Sequence, residues 1–134
     1  MTNRTRMSLI LYLAAAYNIA WGTIVVARPL LAFRLAGMPL PNYPQLWQCI
    51  GMIIGTYGIG YAIAATNPVR YWPIVLVGFL GKIFGPVGFF IAAIRHELPW
   101  VVGWTIVTND LIWWVPFTVI LVQVYKDGAS TKNE

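Results

Sequence analysis

Four stretches of this chain, residues 7–27, 44–66, 72–94 and 101–125, are apolar almost without interruption. About 20 such residues, coiled at 1.5 Å each, cross the roughly 30 Å hydrocarbon core of a bilayer. Inside lipid a backbone must satisfy its own hydrogen bonds, so each stretch is expected to be a helix. The period-two alternation of a membrane barrel is absent from the sequence. The expected fold is therefore all-α: an integral membrane four-helix bundle forming one domain over residues 1–126. A polar tail over 127–134 is expected to be disordered.

Composition supports this and excludes other classes. Only 10% of the 134 residues are charged, against about 25% in a soluble domain. Arg4, Arg6, Arg28, Arg34, Arg70, Arg95, Lys126 and Lys132 all lie outside the apolar stretches. The net charge of +5 is thus loop charge facing headgroups of the lipid bilayer, and no nucleic acid partner is expected, since no basic cluster alternates with exposed aromatics. One cysteine, Cys49, permits no intrachain disulfide, and one histidine, His96, gives no pair of axial haem ligands and no zinc set. No cofactor and no metal are expected. Arg4 and Arg6 before an apolar run resemble a signal peptide. However, the run is long, and Arg28-Pro29 follows it instead of a small-residue cleavage site, so cleavage is not expected.

Loops and belts set the topology. Residues 29–36 carry Leu30, Leu31, Phe33 and Leu35 before Gly37, a helix stop. The reading is a short interfacial helix between the first and second spans, with an ordered apolar loop as the alternative. Tyr43, Trp47, Tyr71, Trp72, Trp100, Trp104 and Tyr125 fall at span ends, as interfacial aromatic belts do. Arg4, Arg6, Arg70, Lys126 and Lys132 lie on one side, and Arg28, Arg34 and Arg95 on the other. That bias places both termini in the cytoplasm of a bacterium, with the spans in its inner membrane.

Glycines mark where helices approach. Gly51, Gly55 and Gly58 share one face of the second span, and Gly78, Gly81, Gly85 and Gly88 share one face of the third. Each row contains a G-x-x-x-G, and the two rows are expected to meet, packing span two on span three. Ala14, Asn18 and Gly22 form a third small-residue row, on the first span.

The polar residues inside the spans are the candidate site. Lys82 lies ten residues in from Trp72, and Asp110 ten in from Trp100 on the opposite face, so both sit roughly 15 Å deep. Asn18, Asn109 and Tyr57 reach the same level. A charge at the bilayer centre costs roughly 2.5–3.5 kcal/mol on insertion scales, so it persists where it is paired or used. Lys82 and Asp110 are expected to pair, directly or through Asn109 or water. Pro86 frees the carbonyl of Lys82, and Pro116 that of Ile112, so both helices loosen near the polar level. Trp113, Trp114 and Trp21 lie about one turn from Asp110 and Asn18 and offer walls for a flat or amphipathic molecule. No nucleophile–base–orienter constellation is present, so an enzyme is not expected.

The stretches Leu46-Trp47-Gln48-Cys49-Ile50-Gly51, Gly81-Lys82-Ile83-Phe84-Gly85-Pro86 and Asn109-Asp110-Leu111-Ile112-Trp113-Trp114-Val115-Pro116-Phe117 resemble the DoxX-like group of small bacterial membrane proteins. That resemblance implies a four-helix protein beside membrane redox systems, including quinone-linked oxidation of sulfur compounds. Three functional readings follow. The first is an accessory or ligand-binding subunit that takes a quinone or amphipathic small molecule, with a membrane redox partner or as a homo-oligomer. The second is a proton-coupled or oligomeric transport protein. The third is a scaffold whose buried ion pair only fixes helix register.

Overall fold

The computed structural model describes residues 2–130. In order, the elements are α1 (Asn3–Ala27), α2 (Leu31–Leu35), α3 (Pro44–Thr66) and α4 (Trp72–Ile94). A fourth span follows in pieces. It opens with a 3-10 turn at Trp100–Val102 and continues as α5 (Gly103–Ile106), a π-helical turn at Val107–Leu111, and α6 (Ile112–Ser130). Among the described residues, four helical segments are long and apolar enough to cross a membrane. The chain is an all-α, multi-pass membrane bundle, without strands among the described residues.

Local chemistry explains the boundaries. The Thr2 side chain accepts from the Thr5 N–H at 3.3 Å and caps α1. Pro44 and Pro73 occupy the first turns of α3 and α4, where a missing N–H costs nothing. The short helix α2 lies within the expected 29–36 segment. Its end is a left-handed cap: Gly37 has φ +63°, its N–H bonds the Arg34 carbonyl, and the Met38 N–H bonds the Phe33 carbonyl. Beyond Asp127, where the polar tail was expected to begin, α6 runs on to Ser130. Residues 131–134 of that tail lie outside the described residues.

The glycine pairing differs from expectation. The face of α3 meets α1, not α4. A Cβ added at Gly22 would lie 2.5 Å from the Gly51 carbonyl oxygen and 2.8 Å from the Gly55 amide nitrogen. One at Gly58 would lie 2.9 Å from the Ala15 carbonyl oxygen. Gly22 of the α1 row is therefore the partner of Gly51, while Gly58 sits against Ala15 and Ile19 beside that row, and these two helices pack along most of their length. On α4 the row divides. Gly78 lies under the Tyr61 ring and Gly85 faces Asp110, while Gly81 and Gly88 face open space. The close glycine contacts between α3 and α4 are Gly60 with Ile74 and Gly78 with Tyr61, both near the 67–71 turn. From there the two helices diverge, and α4 leans on α6 and the π turn. A glycine row permits close approach but does not name its partner.

The core is lopsided. Met7, Leu11, Ala14, Ala64, Val75, Phe117, Ile120 and Val124 form one apolar cluster in the half of the bundle toward the 67–71 turn. An aromatic layer lies at its membrane-centre end. Tyr61 stands edge-on to Phe117 at 5.1 Å, and Trp113 bridges Phe117 at 6.0 Å and Tyr17 at 5.8 Å. The other half, toward the 28–43 loop, buries Val25, Phe89 and Ala93 but leaves an open chamber.

Two alanine substitutions separate the packing roles. Gly22→Ala drives a methyl into the α3 backbone and is expected to lower the thermal midpoint of the detergent-solubilised protein strongly. Gly55→Ala points its methyl into open space and should leave the midpoint near wild type. Equal effects of the two would contradict the α1–α3 seam.

Candidate functional site

Lys82 and Asp110 are buried, at 4% and 5% exposure, and Asn18 is buried at 3%. They are drawn from three helices. Asn18 is buried on α1, one turn before Gly22. Lys82 lies on α4 one turn before Pro86. Asn109 and Asp110 lie in the π-helical turn. A π turn inserts one extra residue per turn, which swings the side chains that follow it; such turns are frequent at functional sites. Within it, the Asn109 backbone carbonyl and the Asp110 carboxylate both face Lys82 of α4.

The ion pair is loose and bridged. Lys82 Nζ stands 4.0 Å from Asp110 Oδ1. Asn109 links them: its backbone carbonyl accepts from Lys82 Nζ at 2.5 Å, and its side-chain Nδ2 donates to Asp110 Oδ1 at 3.1 Å. At 4 Å and an effective dielectric of 20, the attraction is roughly 4 kcal/mol, comparable with the several kcal/mol that each ion loses on leaving water. Net stability from the pair is therefore small, and stability alone does not account for placing it here.

Pro86 frees the Lys82 carbonyl, as expected, and the structure supplies its partner: Trp114 Nε1 donates to it at 2.8 Å. Trp113 has a different role. Its ring lies 5.9 Å from Lys82 Nζ, within cation–π range, and belongs to the aromatic layer beneath the polar cluster. Buried Asn18 Oδ1, Asn109 Oδ1 and Trp113 Nε1 make no hydrogen bond among the described residues.

Two cavities meet at this cluster. The smaller, about 130 Å³, is lined by Asn18, Tyr57, Tyr61, Lys82, Asn109 and Asp110, with Gly78 and Gly81. The larger, about 380 Å³, lies toward the 28–43 loop and is mainly apolar. Trp21, Phe33, Trp47, Gly85, Leu98 and Trp104 contribute to its wall. Ile54, Asn109 and Asp110 line both. Helix α2 forms part of the rim, with Phe33 edge-on to Trp47 at 5.5 Å. Of the residues singled out from sequence, Asn18, Tyr57, Lys82, Asn109 and Asp110 come together. Trp21 instead belongs to the apolar chamber, edge-on to Trp104 at 6.1 Å. Tyr61 was missed, although its position four residues after Tyr57 places it on the same face. Gly85, read as packing, carries the Asp110 carboxylate, whose Oδ2 lies 3.2 Å from where its Cβ would be.

No family model, no curated protein and no solved structure matches the chain.

The buried cluster makes a coupled stability prediction. Asp110→Leu leaves the Lys82 ammonium without its carboxylate and is expected to cost about 3 kcal/mol or more, while adding Lys82→Leu restores part of that loss. Denaturation of the single and double variants in mixed micelles checks it. A double variant as unstable as the sum of both singles would contradict the pairing.

Proposed function

We propose that this protein binds a membrane-dissolved amphipathic molecule with a flat polar head, of the quinone class. On this reading it serves as an accessory or ligand-binding subunit of a membrane redox system in the bacterial inner membrane. One observation carries the reading. An apolar chamber of about 380 Å³, within the usual size range of ligand sites, ends on a small polar cavity, and Asn109 and Asp110 belong to both. An apolar body would fill the chamber between Trp21, Phe33 and Trp104, while a polar head would reach Lys82, Asn109 and Asp110. Lys82 and the amides of Asn18 and Asn109 provide hydrogen-bond donors for a carbonyl, and the Asp110 carboxylate provides an acceptor for a hydroxyl. The resemblance to DoxX-like proteins points the same way. The excess of Lys and Arg beside the termini favours a cytoplasmic position for both, which opens the chamber toward the outer face.

Transport through a single copy is the weaker reading. Below the polar cavity the aromatic layer and the apolar cluster fill the bundle, so the cavity is a dead end. A static register-fixing pair is also weaker, because it leaves the chamber and its shared polar lining without a role.

Titration of the purified protein with a decyl benzoquinone, followed by tryptophan quenching, tests the proposal. Asp110→Asn keeps the shape of the side chain and removes its charge. It is expected to weaken binding about tenfold, or 1.4 kcal/mol, with the fold intact by circular dichroism. Binding that is absent in the wild type, or unchanged in the variant, counts against the reading.

A further inference from the structure

We infer that the ligand reaches the polar cluster sideways from the bilayer, through a window between α3 and α4 whose sill is the glycine row of α4. This rests on the ligand-binding reading above and adds the route. In the G-x-x-x-G of α4, Gly81 is not consumed by helix packing, and Gly85 meets only the Asp110 side chain. Both glycines are exposed, although Lys82 between them is buried. Gly81 lines the polar cavity and Gly85 the apolar chamber, so the row runs past both compartments. A Cβ at Gly81 would meet nothing within 4 Å.

The facing helix completes the opening. Because α3 and α4 touch near the 67–71 turn and then diverge, Ile53 and Tyr57 stand across from Gly81 without closing on it. The same two residues line a lipid-facing groove of about 460 Å³ between α3 and α4, whose far side is formed by Pro73, Ile74 and Val77. Groove and polar cavity thus share a wall at the depth of the charges. At the back of that cavity sits Asn18, buried at 3%, its Oδ1 without a hydrogen bond among the described residues. A second helix seated on the glycine row is the other conceivable occupant. Phe84 argues against it. It projects from the same face of α4 at 66% exposure and would hold another backbone away from Gly81 and Gly88. A molecule dissolved in the hydrocarbon core, with one polar end, has the chemistry that both the window and the cluster require.

A thiol introduced after folding tests the route. In a Cys49→Ser background, which removes the free cysteine, Gly81→Cys and Gly88→Cys are prepared in nanodiscs and modified with benzyl methanethiosulfonate. Gly88 is equally open but lines neither cavity nor chamber. The probe is a fully substituted decyl benzoquinone, to which thiols do not add. Modification at position 81 is expected to weaken binding about tenfold or more and modification at 88 to leave it unchanged. Saturating quinone should slow modification at 81 and not at 88. Ile53→Trp, on the exposed opposite edge, should slow association without changing the thermal midpoint and serves if Gly81→Cys fails to fold. Undiminished binding after modification at 81 overturns the window while leaving the ligand-binding reading standing. Failure of the unmodified protein to bind quinone overturns both. Conversion of a dimer to monomers on modification at 81 would show that the glycine row seats a second copy, and would also overturn the window.

Discussion

Two reciprocal hydrogen bonds tie α4 to the fourth span, and the site depends on them. Lys82 sends its ammonium to the Asn109 carbonyl, and Trp114 sends its indole N–H back to the Lys82 carbonyl. Both bonds fall where a helix departs from regular geometry, at Pro86 in α4 and at the π turn in the fourth span. In water, freed carbonyls would be hydrated. In the bilayer core they must find a protein donor, so each break calls for a side chain from the neighbouring helix. This mutual dependence sets the register of α4 against the fourth span. It also holds Asp110 near Lys82 without the tight contact that would lock the pair.

The lopsided packing follows from the same arrangement. With α1 and α3 joined by close backbone approach at Gly22, Gly51 and Gly58, and α4 joined to the fourth span by the polar bonds, the bundle consists of two helix pairs. They come together around Phe117, Tyr61 and Val75 toward the 67–71 turn. Toward the 28–43 loop they part, and the chamber is the space between them. The polar cluster sits where the pairs separate, so it is both the end of the sealed core and the floor of the open half. A scaffold function would require only the first of these.

Much of this was legible in the sequence, and the limits have physical causes. The spans were set by length and hydropathy alone, because lipid permits little else. Lys82, Asp110, Asn18, Asn109 and Tyr57 were legible as a group because polar residues at one depth in a short chain have few places to go. The freed carbonyl of Lys82 was legible from Pro86, but its partner was not, since Trp114 reads equally well as a ring against lipid. The π turn leaves no residue signature at Val107–Leu111. The pairing of the glycine rows was misread because an open glycine and a packed one have the same letter, and only the Cβ direction separates Gly81 from Gly51. Cavities belong to several helices at once and are not encoded in any single segment.

A Lys82 ammonium at the polar end of a ligand site would touch the ring carbonyl of a bound quinone. Solid-state dipolar recoupling between a quinone labelled with ¹³C at its ring carbonyls and the ¹⁵N-labelled lysine side chains tests it most directly, with Lys82 assigned by Lys82→Arg. The expected result is dephasing of the Lys82 amine signal by the labelled carbonyls, lost in the Asp110→Asn variant. Dephasing confined to Lys126 at the membrane surface, with the Lys82 signal untouched, would contradict it.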